Sequence, residues 1–189
     1  PTYNGDYSAK RYSALKQVDR SNVTHLTLAW ASRVSPGAGA SGRGEVPAIV
    51  GGEGPGDLNI DTGTIKASVL AVDGTLYFTM PDNAWAVDAR DGHELWHYFW
   101  KTRGGTHIGN RGWGMWNDVL FMETPDDYLV SLGAKTGKER WHKMNKIGPV
   151  TTYCCGPNNR VVEVLGDLMY LATLDSKLVA LKDKTGDVA

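Results

Sequence analysis

The sequence predicts an all-β chain made of β-propeller blades, a partial propeller of about three blades belonging to a larger ring. Three observations predict it. From residue 66 onward, short β-like runs follow one another, each bounded by Gly, Asp, Asn or Pro. The pattern then restarts: the turn glycines Gly92, Gly137 and Gly186 stand 45 and 49 residues apart. Each glycine lies in a similar turn, and in the first two repeats a tryptophan, Trp96 or Trp141, follows four residues later. A period in the forties filled by about four short strands is the mark of a propeller blade. One four-stranded sheet cannot bury both of its faces, so each blade packs on the next around an axis.

The elements follow in order. Residues 1–66 read as an irregular N-terminal segment, with a helical turn or short helix around 12–26 and a strand-like stretch at 27–30. The run 35–63 holds nine glycines and three prolines and reads as a long loop rather than a packed element. A loop of that length is expected to be functional or mobile. Three propeller repeats occupy 67–189, at about 67–100, 101–145 and 150–189, the last incomplete. The first is predicted to hold strands at 68–72, 76–80, 84–88 and 95–99. The second holds 112–116, 119–123, 128–132 and 139–142, and the third 161–165, 168–172 and 178–181. In each repeat the glycine supplies the positive φ of the turn between the third and fourth strands, and in the first two the tryptophan packs its indole on a neighbouring blade.

Composition bounds the partners. With 41% hydrophobic and 22% charged residues the chain has the make-up of a soluble globular protein. A formal net charge of -1 with mixed signs argues against nucleic acid or an anionic membrane surface. No apolar run reaches the roughly 18 residues of a membrane span, and no charged leader with an apolar core opens the chain at Pro1. Small, uncharged or polar ligands fit this balance better.

Cys154 and Cys155 are the only cysteines and are adjacent, so they are either one bridge between neighbours or two free thiols. Gly156-Pro157-Asn158-Asn159 turns the chain next, and Arg160 follows at the mouth of the third set of strands. His25, His93, His97, His107 and His142 show no metal-binding spacing on one element. Asp57, Asp61, Asp82, Asp126 and Asp127 fall in loops or turns, where such side chains bond local backbone. Glu123 and Glu163 lie within strand patterns and are expected to face solvent.

These residues together resemble a known family. The blade-length turn motif is similar to the tryptophan-docking motif of quinoprotein alcohol and methanol dehydrogenases, eight-bladed propellers of the periplasm that bind pyrroloquinoline quinone (PQQ). Tyr3-Asn4-Gly5-Asp6-Tyr7-Ser8, Arg11-Tyr12-Ser13, Asn22-Val23, Leu26 and Ala29-Trp30 resemble the N-terminal segment of that family, and Cys154-Cys155 with Asn159-Arg160 resemble its cofactor residues. The resemblance implies an N-terminal part of a PQQ-dependent alcohol dehydrogenase, oxidising an alcohol or related hydroxyl compound by hydride transfer. It implies a disulfide between Cys154 and Cys155 lying on one face of the quinone, with Arg160 reaching the quinone oxygens. Calcium or a lanthanide ion is implied as well, with ligands outside this chain, and a cytochrome c-like electron acceptor.

The chain also departs from the family. Where the family carries a glutamate before the first blade strand, Thr64-Ile65-Lys66-Ala67-Ser68 has no acid; Lys66 either serves a cofactor carboxylate or is a solvated loop lysine. Asn110-Arg111 mirrors Asn159-Arg160 one repeat earlier, with His107 in place of cysteines, so Arg111 competes with Arg160 for the cofactor. Three repeats do not close an eight-bladed ring. The remaining blades, a partner chain or self-association are the expected completions, and the active site is expected to be incomplete in this chain alone. The alternative function is a non-catalytic propeller scaffold of the cell envelope that binds partner proteins.

Overall fold

In the computed structural model the described residues are 10, 14–39, 46–55, 65–103, 112–144, 162–173 and 175–189. Their only helical element is a single 3-10 turn, Val23–His25, capped by the Leu26 N–H donating to the Val23 carbonyl at 3.4 Å. Everything else that is regular is β. Three sheets follow in chain order. The first contains β1 (Ala48–Gly51), β2 (Leu70–Val72), β3 (Thr75–Met80), β4 (Asn83–Asp88) and β5 (Glu94–Trp100), in the order β1-β5-β4-β3-β2. The second is the meander β6 (Gly114–Trp116), β7 (Val119–Glu123), β8 (Tyr128–Gly133) and β9 (Glu139–Met144). The third is β10 (Val162–Leu165), β11 (Leu168–Ala172) and β12 (Leu178–Lys182), with Val188 bridging Leu181 beside it.

The period-2 alternation of β7 explains how the middle sheet is buried on both faces. Leu120 and Met122 point into a core shared with the first sheet, where Tyr77, Ala84, Trp96, Tyr98 and Trp100 lie. Val119 and Phe121 point the other way, into a core with Val162, Val164, Met169 and Leu171 of the third sheet. Blade-on-blade packing is thus written in alternate residues of one strand.

The turn between the last two strands recurs three times with the same bonds. The N–H groups of Gly92, Gly137 and Gly186 each donate to the carbonyl four residues back, at 2.8 Å. Their φ values are 72°, 65° and 70°, a region that disfavours side chains. On each glycine lies an indole: Trp30 on Gly92, Trp96 on Gly137 and Trp141 on Gly186. Each indole Nε1–H donates to the carbonyl three residues before its glycine, Ala89, Ala134 or Asp183, at 3.0, 2.8 and 3.1 Å. A β-carbon on Gly137 would sit 2.6 Å from the Trp96 ring, so the missing side chain is what admits the indole.

Three expectations are corrected. The glycine-rich run 35–63 is not all loop, because it contains β1, which pairs parallel with β5 from Ala48↔His97 to Gly51↔Trp100. The stretch 27–30 forms no strand among the described residues; its tryptophan instead docks on the first sheet. The helical reading around 12–26 shrinks, within the described residues, to the 3-10 turn at Val23–His25. No helix among the described residues is long and apolar enough to cross a membrane.

Candidate functional site

A four-stranded meander puts the turn between its second and third strands on the same edge as the connection that enters its first strand. On this edge lie the starts of β2, β6 and β10, the exits of β5 and β9, and the turns after β3, β7 and β11. The starts of the first strands come close to one another. A β-carbon on Gly112 would lie 3.5 Å from the Ser68 carbonyl oxygen, and one on Gly114 would lie 3.0 Å from the Val162 carbonyl oxygen. Small residues at the head of β6 let the three first strands stand side by side.

The residues singled out in the sequence belong to the connections that reach this edge. Arg111 comes directly before Gly112 and three residues before β6, and Arg160 comes two residues before β10. Arg111, Cys154, Cys155, Asn159 and Arg160 all lie outside the described residues, as does His107. Among the described residues, two features stand out that the sequence did not reveal.

The first is Glu123, at the end of β7 on the same edge. The pairing Gly114↔Phe121, continued by two residues, sets it level with Gly112, the neighbour of Arg111. Glu123 was expected to face solvent, but its Oε1 is buried. Burial, with the negative charge of Asp127 adding to it, pushes the carboxyl up to about 8. Asp127 itself, in the turn with φ 66°, is raised to about 6 by burial and by Asp126. Asp126 is well supplied with donors: the Arg103 backbone N–H and the Trp100 indole at 2.8 Å and the Thr124 hydroxyl at 2.6 Å. Burial at this edge therefore favours the protonated form of the Glu123 carboxyl. Glu163, the other strand glutamate, is also raised by burial, and its Oε2 is buried as well. Nothing in the sequence distinguishes either glutamate from a solvent-facing one, because strand alternation alone does not show which positions the folded chain covers.

The second feature joins the exit of the first sheet to the second sheet. Glu53 accepts a hydrogen bond from the Tyr128 hydroxyl at 3.1 Å, is ion-paired with Arg103, and faces His142 Nε2 at 3.5 Å. His142 Nδ1 lies 2.5 Å from Glu139 Oε1, and the Tyr98 hydroxyl donates to Glu139 Oε2 at 2.6 Å. Hydrogen bonding to Tyr128, ahead of the Arg103 charge, holds the Glu53 carboxyl below the usual carboxylate range.

His93 and His97 make contacts of their own. His93 bonds Asp91 at 2.7 Å in its own turn. His97 is stacked on Trp85 at 4.7 Å and bonded to Asn83 at 2.9 Å, and burial lowers it to about 4, so it is neutral. Among the described residues, no group of three or more His, Cys, Asp or Glu is placed to hold a metal ion. A cavity of about 360 Å³ runs between the second and third sheets, lined by Leu129, Met144, Leu171 and Val179 with the Lys143 to Asp187 ion pair at its rim.

Comparison with known proteins bears on what these sheets belong to. A family model described as the β-propeller domain of glucose/ethanol/alcohol dehydrogenase, PQQ, matches residues 1–137. The quinohemoprotein alcohol dehydrogenase ADH IIB of Pseudomonas putida is 33% identical over 83% of this chain, which spans 20% of that relative's length. The crystal structure of the quinohemoprotein alcohol dehydrogenase from Comamonas testosteroni superposes with a TM-score of 0.72 at 24% identity, over 100% of this chain and 26% of that one. A europium-containing methanol dehydrogenase superposes with a TM-score of 0.64 at 24% identity, over 98% of this chain and 30% of that one. These two superpositions speak to the fold alone.

Proposed function

We infer the activity from membership: the chain belongs to the β-propeller family of PQQ-dependent glucose, ethanol and alcohol dehydrogenases. It carries the N-terminal, cofactor-facing part of a quinoprotein dehydrogenase that oxidises an alcohol or related hydroxyl compound by hydride transfer. The observation that carries this reading is the position of Arg111 and Arg160, each directly ahead of the first strand of a blade, one repeat apart.

The donor set suits the cofactor. PQQ, when bound, supplies an ortho-quinone that accepts hydride at a carbonyl carbon. A guanidinium stays charged at any working pH and stabilises negative charge on the quinone oxygens; Arg160 has this role, with Arg111 as its competitor. Asn159 offers an amide beside it. Cys154 and Cys155, joined as a disulfide, would supply a rigid wall for one face of the ring. Burial raises the Glu123 carboxyl at the end of β7 and so disfavours a negative charge there. The second wall of the ring and the ligands for calcium or a lanthanide lie outside these residues. Electrons leave to a cytochrome c-like acceptor, and the setting is the periplasm, where a cysteine bridge persists.

The test is dye-linked alcohol oxidation by the protein made from its full reading frame and freed of cofactor. Activity should start on adding PQQ with calcium or a lanthanide. Arg160→Ala should cost on the order of a hundredfold in turnover, in line with removing one donor to a developing oxyanion. Alcohol-independent, PQQ-insensitive behaviour would turn the reading toward an envelope scaffold.

A further inference from the structure

The glycine-rich segment after β1 has one side chain among four residues, and its surroundings give that side chain a task. Gly51-Gly52-Glu53-Gly54 runs along residues 100–103, with the Lys101 N–H donating to the Gly51 carbonyl and the Gly54 N–H donating to the Lys101 carbonyl, both at 2.9 Å. Each glycine is there because nothing larger fits. A β-carbon on Gly52 would lie 2.5 Å from the Lys101 carbonyl oxygen; on Gly54 it would strike the Thr102 carbonyl, and on Gly51 the Tyr98 hydroxyl. With φ 85° at Gly52 the strap lies flat against the edge of the first sheet.

Glu53 is the exception, and its carboxylate crosses to the second sheet. It meets Arg103 at the exit of the first sheet, the Tyr128 hydroxyl on β8 and His142 on β9. The partners are themselves held. The Arg103 N–H is bonded to Asp126, and its guanidinium lies 5.9 Å from the centre of the Tyr128 ring. His142 packs edge-on against Trp100 and Tyr128, at 5.3 and 5.5 Å. Arg103 is also the last described residue before the connection that leads to Arg111.

We propose that residues 51–54 are a strap whose one side chain, Glu53, latches the first sheet to the second and anchors the chain at Arg103 as it leaves the first blade. Between the second and third sheets, the described residues cross by the exposed Lys143 to Asp187 pair and by the Trp141 indole bond to the Asp183 carbonyl. The latch does not rest on the cofactor reading; it is a property of these sheets.

Hydrogen exchange on the full protein tests it, comparing wild type with Glu53→Gln and Tyr128→Phe. Glu53→Gln removes the charge that Arg103 and His142 face, so the amides of Gly54, Lys101 and Arg103 should exchange about tenfold faster, equivalent to about 1.4 kcal/mol of lost local protection. The amides of Gly137 and Gly186 should change less than about twofold, since their turns share no bond with Glu53. Tyr128→Phe removes a single hydroxyl and should speed the same amides by about two- to threefold. Unchanged protection at Gly54 and Lys101 in both variants, or a uniform rise across all three sheets, overturns the latch.

Discussion

Glu123 shows how one side chain makes the stability of this protein depend on pH. Its folded-state pKa of about 8 lies above the ordinary 4.5, so the folded chain holds a proton that the unfolded chain releases. Such a group stabilises the fold at low pH, and its contribution is lost as pH rises toward 8. His97 works in the opposite direction, but only between its folded value of about 4 and its ordinary 6.5. A comparison of urea unfolding at pH 6.5 and pH 8 therefore reports chiefly on Glu123, with a smaller contribution of the same sign from Asp127. Wild type should lose about 2 kcal/mol across that interval, and Glu123→Gln should lose little. Equal losses in both proteins would mean the carboxyl is solvated after all. The cysteines give a second test at this scale: a non-reduced peptide holding Cys154 and Cys155 should weigh about 2 Da less than its dithiol form. Two alkylatable thiols in protein recovered from an oxidising compartment would remove the quinone wall from the proposal. Neither the burial of Glu123 nor the reach of Glu53 was legible in the sequence, because each environment is made by segments far apart in the chain. Arg111, Arg160 and the cysteine pair stood out for the opposite reason, as unusual residues in a local pattern.

At the scale of the element, the docking of indole on glycine separates two costs that usually travel together. Gly137 and Gly166 have nearly the same φ, 65° and 61°, yet a β-carbon on Gly166 would meet nothing within 4 Å while one on Gly137 would press into Trp96. Gly166→Ala should cost about 1–2 kcal/mol for the left-handed backbone alone. Gly137→Ala should cost about 3 kcal/mol or more, because the indole must also shift in a packed seam. Thermal or urea unfolding of the two variants checks this, and equal costs would mean the indole is not a structural wedge. The strands carrying these turns were legible because their alternation, turn glycines and tryptophans all repeat within a few residues of one another. β1 was not. Its partner β5 lies nearly fifty residues later in the chain, and its own continuation, Gly51-Gly52-Glu53-Gly54, has the composition of a loop. Trp30 was read as part of a strand because its neighbours are apolar, whereas it works as the first of three docking indoles.

For the whole molecule, three sheets stacked through alternate residues of a shared middle blade give a scaffold whose first strands gather on one edge. The family and the fold were legible because a propeller repeats its signals and each repeat confirms the last. The proposed cofactor residues were read only as residue types at equivalent repeat positions, and all of them lie outside the described residues. The chain covers 20% of the length of the ADH IIB relative, so the complete site is a matter for the protein made from its full reading frame. Titration of PQQ with calcium into that protein, followed by quenching of tryptophan fluorescence, is the most direct test. The account predicts saturation at one equivalent, with affinity weakened by about tenfold or more in Arg160→Ala or in Arg111→Ala, and much weaker binding by the 189-residue chain alone. Absence of saturable binding to the full protein, or submicromolar binding that neither arginine variant alters, would contradict it.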